Sequence, residues 1–515
     1  MATISSSGDV PRQASGEVVD KGLKKNAIGY LSNLVIGVAS TAPAYSLAAT
    51  LGGIVLVGGL GVGGIGVHAP AVLLVSFVPM LLIAGAYRAL NRADPDAGTT
   101  FAWTTRALGP GTGWVNGWAI FLADVIVMAS LSQIAAVYTF KLFSWEAAAN
   151  SQGAVVAAAV IWIAVMTWIC YRGIELSARI QQVLLSAEIA ILGLFSVVAL
   201  VKVYSEHPTN SIKPSLSWFD PTALPFNTLI VGVLLGVFIY WGWDSGVAVN
   251  EESEDPNEGP GRAAVVSTIL LVVIYLIVSS AAQAFHGPGF LAANESDVLS
   301  ALGKPVLGGV LYKLLIVAVL TSASASTQTT ILPTARTTLS MAHWKAVTAL
   351  LGRVHKQYLT PSVSTLGMGA ISIAVTVPLL LLSEHVLTDS ITAIGFPICF
   401  YYGFTGIACA VFYRRELTKS VRDFILLGLA PLIGGLMLFY VFYKALVYYG
   451  ETAHVESSPI LGITLPIWMG VGGLLLGVVL MIVSRFYFRP FFARKLETVE
   501  PGLFEKPVEQ APARF

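Results

Sequence analysis

The chain has 515 residues, 55% of them hydrophobic and only 11% charged, with a net charge of +1. A soluble domain carries roughly 25% charged residues, so a chain this poor in charge cannot clothe its own surface in water. The small net charge gives no reason to expect a nucleic-acid partner, and Cys170, Cys399 and Cys409 are too few for a disulfide scaffold and lack metal-ligand spacing.

Residues 1–26 are polar, with Lys21, Lys24 and Lys25 just ahead of the first apolar run. That run is too long for a signal-peptide core and is expected to stay as a membrane helix. A crossing helix needs about 20 mostly apolar residues. In that window the runs fall near 27–60, 67–90, 113–143, 153–171, 177–203, 225–249, 263–285, 306–341, 363–382, 387–413, 424–449 and 461–488. Twelve crossings are therefore expected. With the N-terminus in the cytoplasm, only Lys141, Lys202, Lys213, Lys304, Lys313 and Lys444 of the 30 Lys and Arg fall outside. That is the expected positive-inside bias, and it puts both termini on the cytoplasmic side of the plasma membrane. The reading divides the chain into a tail at 1–26, a ten-helix core at 27–413, two further helices at 414–488 and a tail at 489–515.

Two runs read badly as continuous helices. The first holds Gly37-Val38-Ala39-Ser40-Thr41-Ala42-Pro43-Ala44-Tyr45-Ser46, with a proline at mid-membrane depth. Proline removes a backbone donor and clashes with the preceding turn. The sixth holds Phe238-Ile239-Tyr240-Trp241-Gly242-Trp243-Asp244-Ser245-Gly246, with two glycines around a charge. Non-helical backbone at this depth survives only where protein encloses it. Each break alone reads as a kink or a packing contact. Two breaks, five helices apart, point to a solute site at the bilayer midplane. Donors freed from Ala42 onward are expected to hold a carboxylate, and carbonyls near Tyr240 to Gly242 an ammonium group.

Three carboxylates, Asp124, Glu188 and Asp244, fall inside apolar runs. Each costs a few kcal/mol at that depth and is expected to face a partner or a wet cavity. Asp124 reads either as a coupling acid or as an acceptor for a neighbouring helix. Asp244 reads as a coupling acid, as an N-cap for the following half-helix, or as both. Glu188 is expected either to take up a proton or to help bind sodium with hydroxyls such as Ser322, Ser324, Ser326 and Thr327, since hard cations prefer oxygen ligands. The Ser/Thr run also suits plain helix packing. The acidic stretch from Glu251 to Glu258 reads as a solvated hinge, and Tyr401 and Tyr402 as interfacial aromatics.

In order and spacing, several stretches resemble the amino acid–polyamine–organocation superfamily of permeases. They are Tyr240-Trp241-Gly242-Trp243-Asp244 with Glu251-Glu252, Asp94-Pro95-Asp96-Ala97-Gly98, Ala107-Leu108-Gly109-Pro110, and Arg172-Gly173-Ile174-Glu175. The resemblance runs from about Gly29 to Phe488. It implies an all-α integral membrane fold of the LeuT type, two inverted five-helix repeats with broken first and sixth helices. It implies a substrate carboxylate at Ser40, Thr41 and Ala42. The amino group is implied at Tyr240, Trp241 and Gly242, beside Trp243, with Phe238 closing over the substrate. Glu188 stands where many proton-coupled relatives carry a lysine, and Thr41-Ala42-Pro43 replaces the usual Gly-x-Gly.

The resulting expectation is a secondary permease in the lipid bilayer. It imports an amino acid or related amine with a proton, or with sodium, through Glu188, Asp124, Asp244, Ser324 and Thr327, and uses no cofactor or metal. A polyamine or cationic amino acid permease is the alternative in the same class. A channel, a nutrient sensor and a membrane-embedded enzyme are the alternatives outside it. Oligomeric state is not legible.

Overall fold

The computed structural model describes residues 20–383 and 385–495. Most of both expected tails lies outside the described residues. Among the described residues the fold is all-helical, with twelve helices long and apolar enough to cross a membrane. These spans, numbered here in chain order, are Tyr30–Leu56, Gly66–Ala93, Pro110–Leu142, Gln152–Arg172, Ile174–Ser205 and Phe226–Ala248. The remaining six are Gly259–Ala293, Lys313–His343, Ser362–Leu382, Val386–Phe412, Val421–Gly450 and Leu465–Tyr487. Each coincides with one expected run. One boundary moves: Val306 belongs to a separate short helix, Val298–Leu307, because Gly308 and Gly309 take positive φ angles and end it before span 8 begins.

An odd number of crossings fixes the symmetry. Spans 1 to 5 return the chain to the opposite face, so spans 6 to 10 repeat the pattern upside down. Both repeats open on a broken span. Span 1 divides into Tyr30–Ser40 and Pro43–Leu56, and span 6 into Phe226–Tyr240 and Ser245–Ala248. Lipid tails are as apolar as leucine, so helices in a bilayer gain little by hiding apolar side chains from one another, and close packing decides the interior. Spans 1, 3 and 8 are the most enclosed, and spans 11 and 12 far less so.

The two broken spans touch. A Cβ on Gly246 would lie 2.5 Å from the Asn33 carbonyl oxygen, and one on Gly242 would lie 2.8 Å from Ser40 carbonyl atoms. Only residues without a side chain let these backbones approach so closely.

Candidate functional site

The first break is built by Ala42 and Pro43. Ala42 sits in the left-handed region at φ 48°, ψ 65°, and Pro43 opens the second half of the span. Proline suits the first helical position, where its missing N–H would have no helical partner. Alanine pays about 1–2 kcal/mol for a left-handed backbone. The second break is built by Gly242 at φ 118°, a conformation that glycine adopts without strain. The breaks are joined by a hydrogen bond of 2.8 Å between the Ser40 and Ser245 hydroxyls.

The polar groups of the first break are already used. The Thr41 and Ala42 N–H groups donate to the Val38 and Ala39 carbonyls at 3.2 and 3.1 Å. Pro43 has no N–H. The Ala44 N–H donates to Glu188 Oε1 at 2.8 Å, and the Tyr45 N–H donates to Ser322 Oγ at 3.2 Å. The Ser40 and Thr41 carbonyls accept from the hydroxyls of Ser326 and Ser46. The donors expected to be free from Ala42 onward are therefore engaged, and a protein carboxylate holds the first donor of the second half-helix. Glu188 is fully buried, and its Oε2 has no hydrogen-bond partner among the described residues.

At the second break the Tyr275 hydroxyl donates to the Ile239 carbonyl at 2.6 Å. Of the two roles open to Asp244, coupling acid and N-cap, the cap is not seen, because its side chain makes no cap bond. It accepts instead from the hydroxyls of Tyr402 at 2.9 Å, Tyr401 at 3.1 Å and Tyr87 at 3.4 Å. Span 10 carries Tyr401 and Tyr402 into the interior, where both are buried, so they are not interfacial. Three phenols offer Asp244 more than the short helix beyond it could. Trp241 donates its indole N–H to Tyr401, and the Trp243 ring stacks on Tyr402.

The other candidates divide. Asp124 accepts from the Thr334 hydroxyl of span 8, the neighbour-helix role. Thr327 turns its hydroxyl back to Ala323, whereas the Ser324 hydroxyl has no partner among the described residues. Phe238 meets Tyr45 edge to face, with ring centroids 6.4 Å apart, and Tyr240 packs edge-on against Tyr275.

On the face where span 1 begins, a buried ion network closes the molecule. Lys21 Nζ pairs with Asp96 at 2.9 Å and with Glu251, and Arg336 Nε donates to Glu252 at 2.6 Å. Asp96 also accepts from Ser340 and from the Trp344 indole. The acidic stretch is thus no solvated hinge at its start, because buried cations from the N-terminal segment and from span 8 neutralise it. Burial works against the Lys21 charge, but Asp96 and Glu251 outweigh it and raise its pKa. Burial likewise opposes ionisation of Asp96, and Lys21 overcomes it, holding the carboxyl below its ordinary range.

On the opposite face a cavity of about 510 Å³ is lined by Thr50 and Gly53 of span 1, Gln133 of span 3, Leu235 of span 6 and Ile391 of span 10. In chain order Tyr45 and Phe238 lie between these residues and the breaks.

Sequence reasoning missed the tyrosine clamp, the Lys21 and Arg336 pairs, and the use of the Ala44 donor. Arg336 was legible as a charge inside span 8; its partner, 84 residues earlier, was not.

The family model described as "Amino acid permease" matches residues 40–485. The chain is 27% identical to the branched-chain amino acid permease BcaP of Lactococcus lactis, over 44% of this chain and 51% of BcaP. It is 23% identical to the arginine/ornithine antiporter ArcD2 of the same species, over 56% of this chain and 61% of the relative. It is 22% identical to the methylthioribose transporter of Bacillus subtilis, over 70% and 77%. The matched stretch thus spans about half the length of BcaP and three fifths of ArcD2. The family model covers both breaks and everything between them, so the chain belongs to the amino acid permease family.

Proposed function

We propose that the chain is a secondary permease carrying an amino acid or related amine across the plasma membrane by alternating access. In this reading the face where span 1 begins is cytoplasmic, and solute enters from the cavity on the other side. The observation that carries it is the meeting of two broken spans at one depth, with Gly242 against Ser40. Such a junction offers peptide groups to a dipolar guest and gives two helix bundles a pivot. The buried ion network and the Tyr45–Phe238 pair act as its two closures. The family's membership supports this reading, as do the names of the relatives.

Import is coupled to a proton held at Glu188, the acid that touches the first break. Sodium is the second reading, because Ser326 and Thr327 donate their hydroxyl protons to backbone carbonyls and so keep oxygen lone pairs for a cation; accumulation driven by an imposed sodium gradient would favour it. The hydrogen bonds of Asp124 and Asp244 argue against three acids lining a polycation path. Uptake of a radiolabelled amino acid panel into proteoliposomes, with and without an imposed proton gradient, tests the proposal. Wild type accumulates its substrate against a gradient, whereas Glu188→Gln equilibrates it without concentrating it. Full gradient-driven accumulation by Glu188→Gln would remove Glu188 from coupling.

A further inference from the structure

Glu188 reaches from span 5 to the N-terminal end of the 14-residue half-helix Pro43–Leu56, where its Oε1 takes the Ala44 N–H. This is the first donor that half-helix has, and the helix dipole favours an anion there. The neighbouring N–H groups of Thr41, Ala42 and Tyr45 are also engaged. A guest carboxylate arriving at this end meets an occupied seat. We propose that Glu188 is a tethered stand-in for the substrate's carboxylate, displaced from the Ala44 N–H by that carboxylate only after Glu188 has taken up a proton. The inference rests on the permease reading above and deepens it.

The exchange balances simply. A proton from the side of the cavity binds the Glu188 carboxylate, whose Oε2 has no hydrogen-bond partner among the described residues. The neutral acid releases the Ala44 N–H, and the substrate carboxylate accepts it. One proton and one zwitterion then travel together, and their release on the far side returns Glu188 to the helix end. Among the described residues, the titratable group facing Glu188 is a phenol, that of Tyr275 in span 7. The cations of the elements packed on span 5 are engaged elsewhere: Arg336 with Glu252, Lys313 with the Leu142 carbonyl, and Arg262, Arg172 and Lys304 with the rings of Tyr30, Tyr358 and Tyr312. A fixed positive charge opposite Glu188 would have held it ionised and spoiled the exchange.

The test compares an acid with its decarboxylated twin. Binding of L-leucine and isopentylamine to the purified full chain, and of L-arginine and agmatine, is measured from pH 5 to 8, where these probes keep their α-carboxylate and ammonium charges. The amino acids bind about tenfold more tightly per unit fall in pH wherever Glu188 is ionised in the empty protein, one proton being taken up per guest. The matched amines show no such slope, and Glu188→Gln abolishes the slope for the acids. Equal slopes for acid and amine overturn the inference, as does an unchanged slope in Glu188→Gln, and neither result harms the permease reading. Should the variant fail to fold, the acid–amine comparison in wild type decides alone. Failure of every amino acid to bind at any pH overturns the inference and the permease reading together.

Discussion

The two breaks solve one problem by opposite means. In span 6 a glycine supplies the positive φ angle without strain, and the aspartate that follows is held by phenols from spans 2 and 10. In span 1 an alanine is forced into the left-handed region ahead of a proline, and the freed groups are satisfied by Glu188, Ser322 and Ser326 from spans 5 and 8. The first break is therefore strained and held from outside its own span. The second is relaxed in its backbone and anchored by a side chain. Buried polar groups in a bilayer interior must find partners. Different neighbouring spans provide them: spans 5 and 8 for the first break, spans 2 and 10 for the second.

Substituting glycine at the relaxed break should have the largest effect. Gly242→Ala places a Cβ 2.8 Å from the Ser40 carbonyl at a backbone angle that alanine rarely adopts. Strain of about 1–3 kcal/mol from the backbone alone, with the overlap added, is expected to cut uptake about a hundredfold. Transport assays on detergent-stable protein check this. Near-normal uptake would mean that the breaks separate during the cycle.

Opening the closed face comes next. Lys21→Met leaves Asp96 and Glu251 buried without their cation, a loss of about 3–5 kcal/mol for a buried pair broken from one side. A cysteine placed at Ser253, buried in wild type, should then react readily with a thiol reagent applied from the face where span 1 begins. The sign of the pH effect follows from the same charges. The pKa of Lys21 is raised, so its contribution is complete below its ordinary value of 10.5 and fades only as the pH rises past the raised one. The pKa of Asp96 is lowered, so its contribution is present above its ordinary value of 3.8 and is lost only as the pH falls through the depressed one. The Lys21–Asp96 pair should not respond to pH between 5 and 9, and a pH dependence of transport in that range belongs to another group.

The anchor of the second break should give a smaller change. Tyr402→Phe removes one of three donors to Asp244, a net loss of about 1.5–3 kcal/mol for a hydrogen bond to a charged group. Transport is expected to fall about tenfold, with Tyr87→Phe milder because its bond is the longest of the three. Equal losses for the two would show that the tyrosines act as packing rather than as donors. The smallest effect is expected at the strained break. Ala42→Gly relieves the left-handed strain and loses about 0.5–1 kcal/mol of chain entropy, so its stability should stay within about 1 kcal/mol of wild type, with transport retained.

The contrast also explains what the sequence could reveal. Spans are legible because a bilayer imposes one length and one polarity on every crossing, and both breaks announce themselves locally, one by Pro43 and the other by Gly242. Glu188 is visible for the same reason, as a charge in an apolar run. Its attachment to Ala44 spans 144 residues and depends on how spans 1 and 5 cross, which no local pattern encodes. Tyr401 and Tyr402 mislead because tyrosines in membrane spans are enriched at interfaces, whereas span 10 is enclosed and both are buried. The acidic stretch misleads similarly: Glu252 looks solvated until Arg336 is brought to it.

Counterflow most directly tests whether the two breaks form one transport site. Proteoliposomes preloaded with an unlabelled amino acid should draw in the labelled form faster than empty ones. Gly242→Ala, correctly inserted and monodisperse, should lose that stimulation. Flux that ignores the internal amino acid, or full stimulation in Gly242→Ala, would contradict a permease working through the junction of spans 1 and 6.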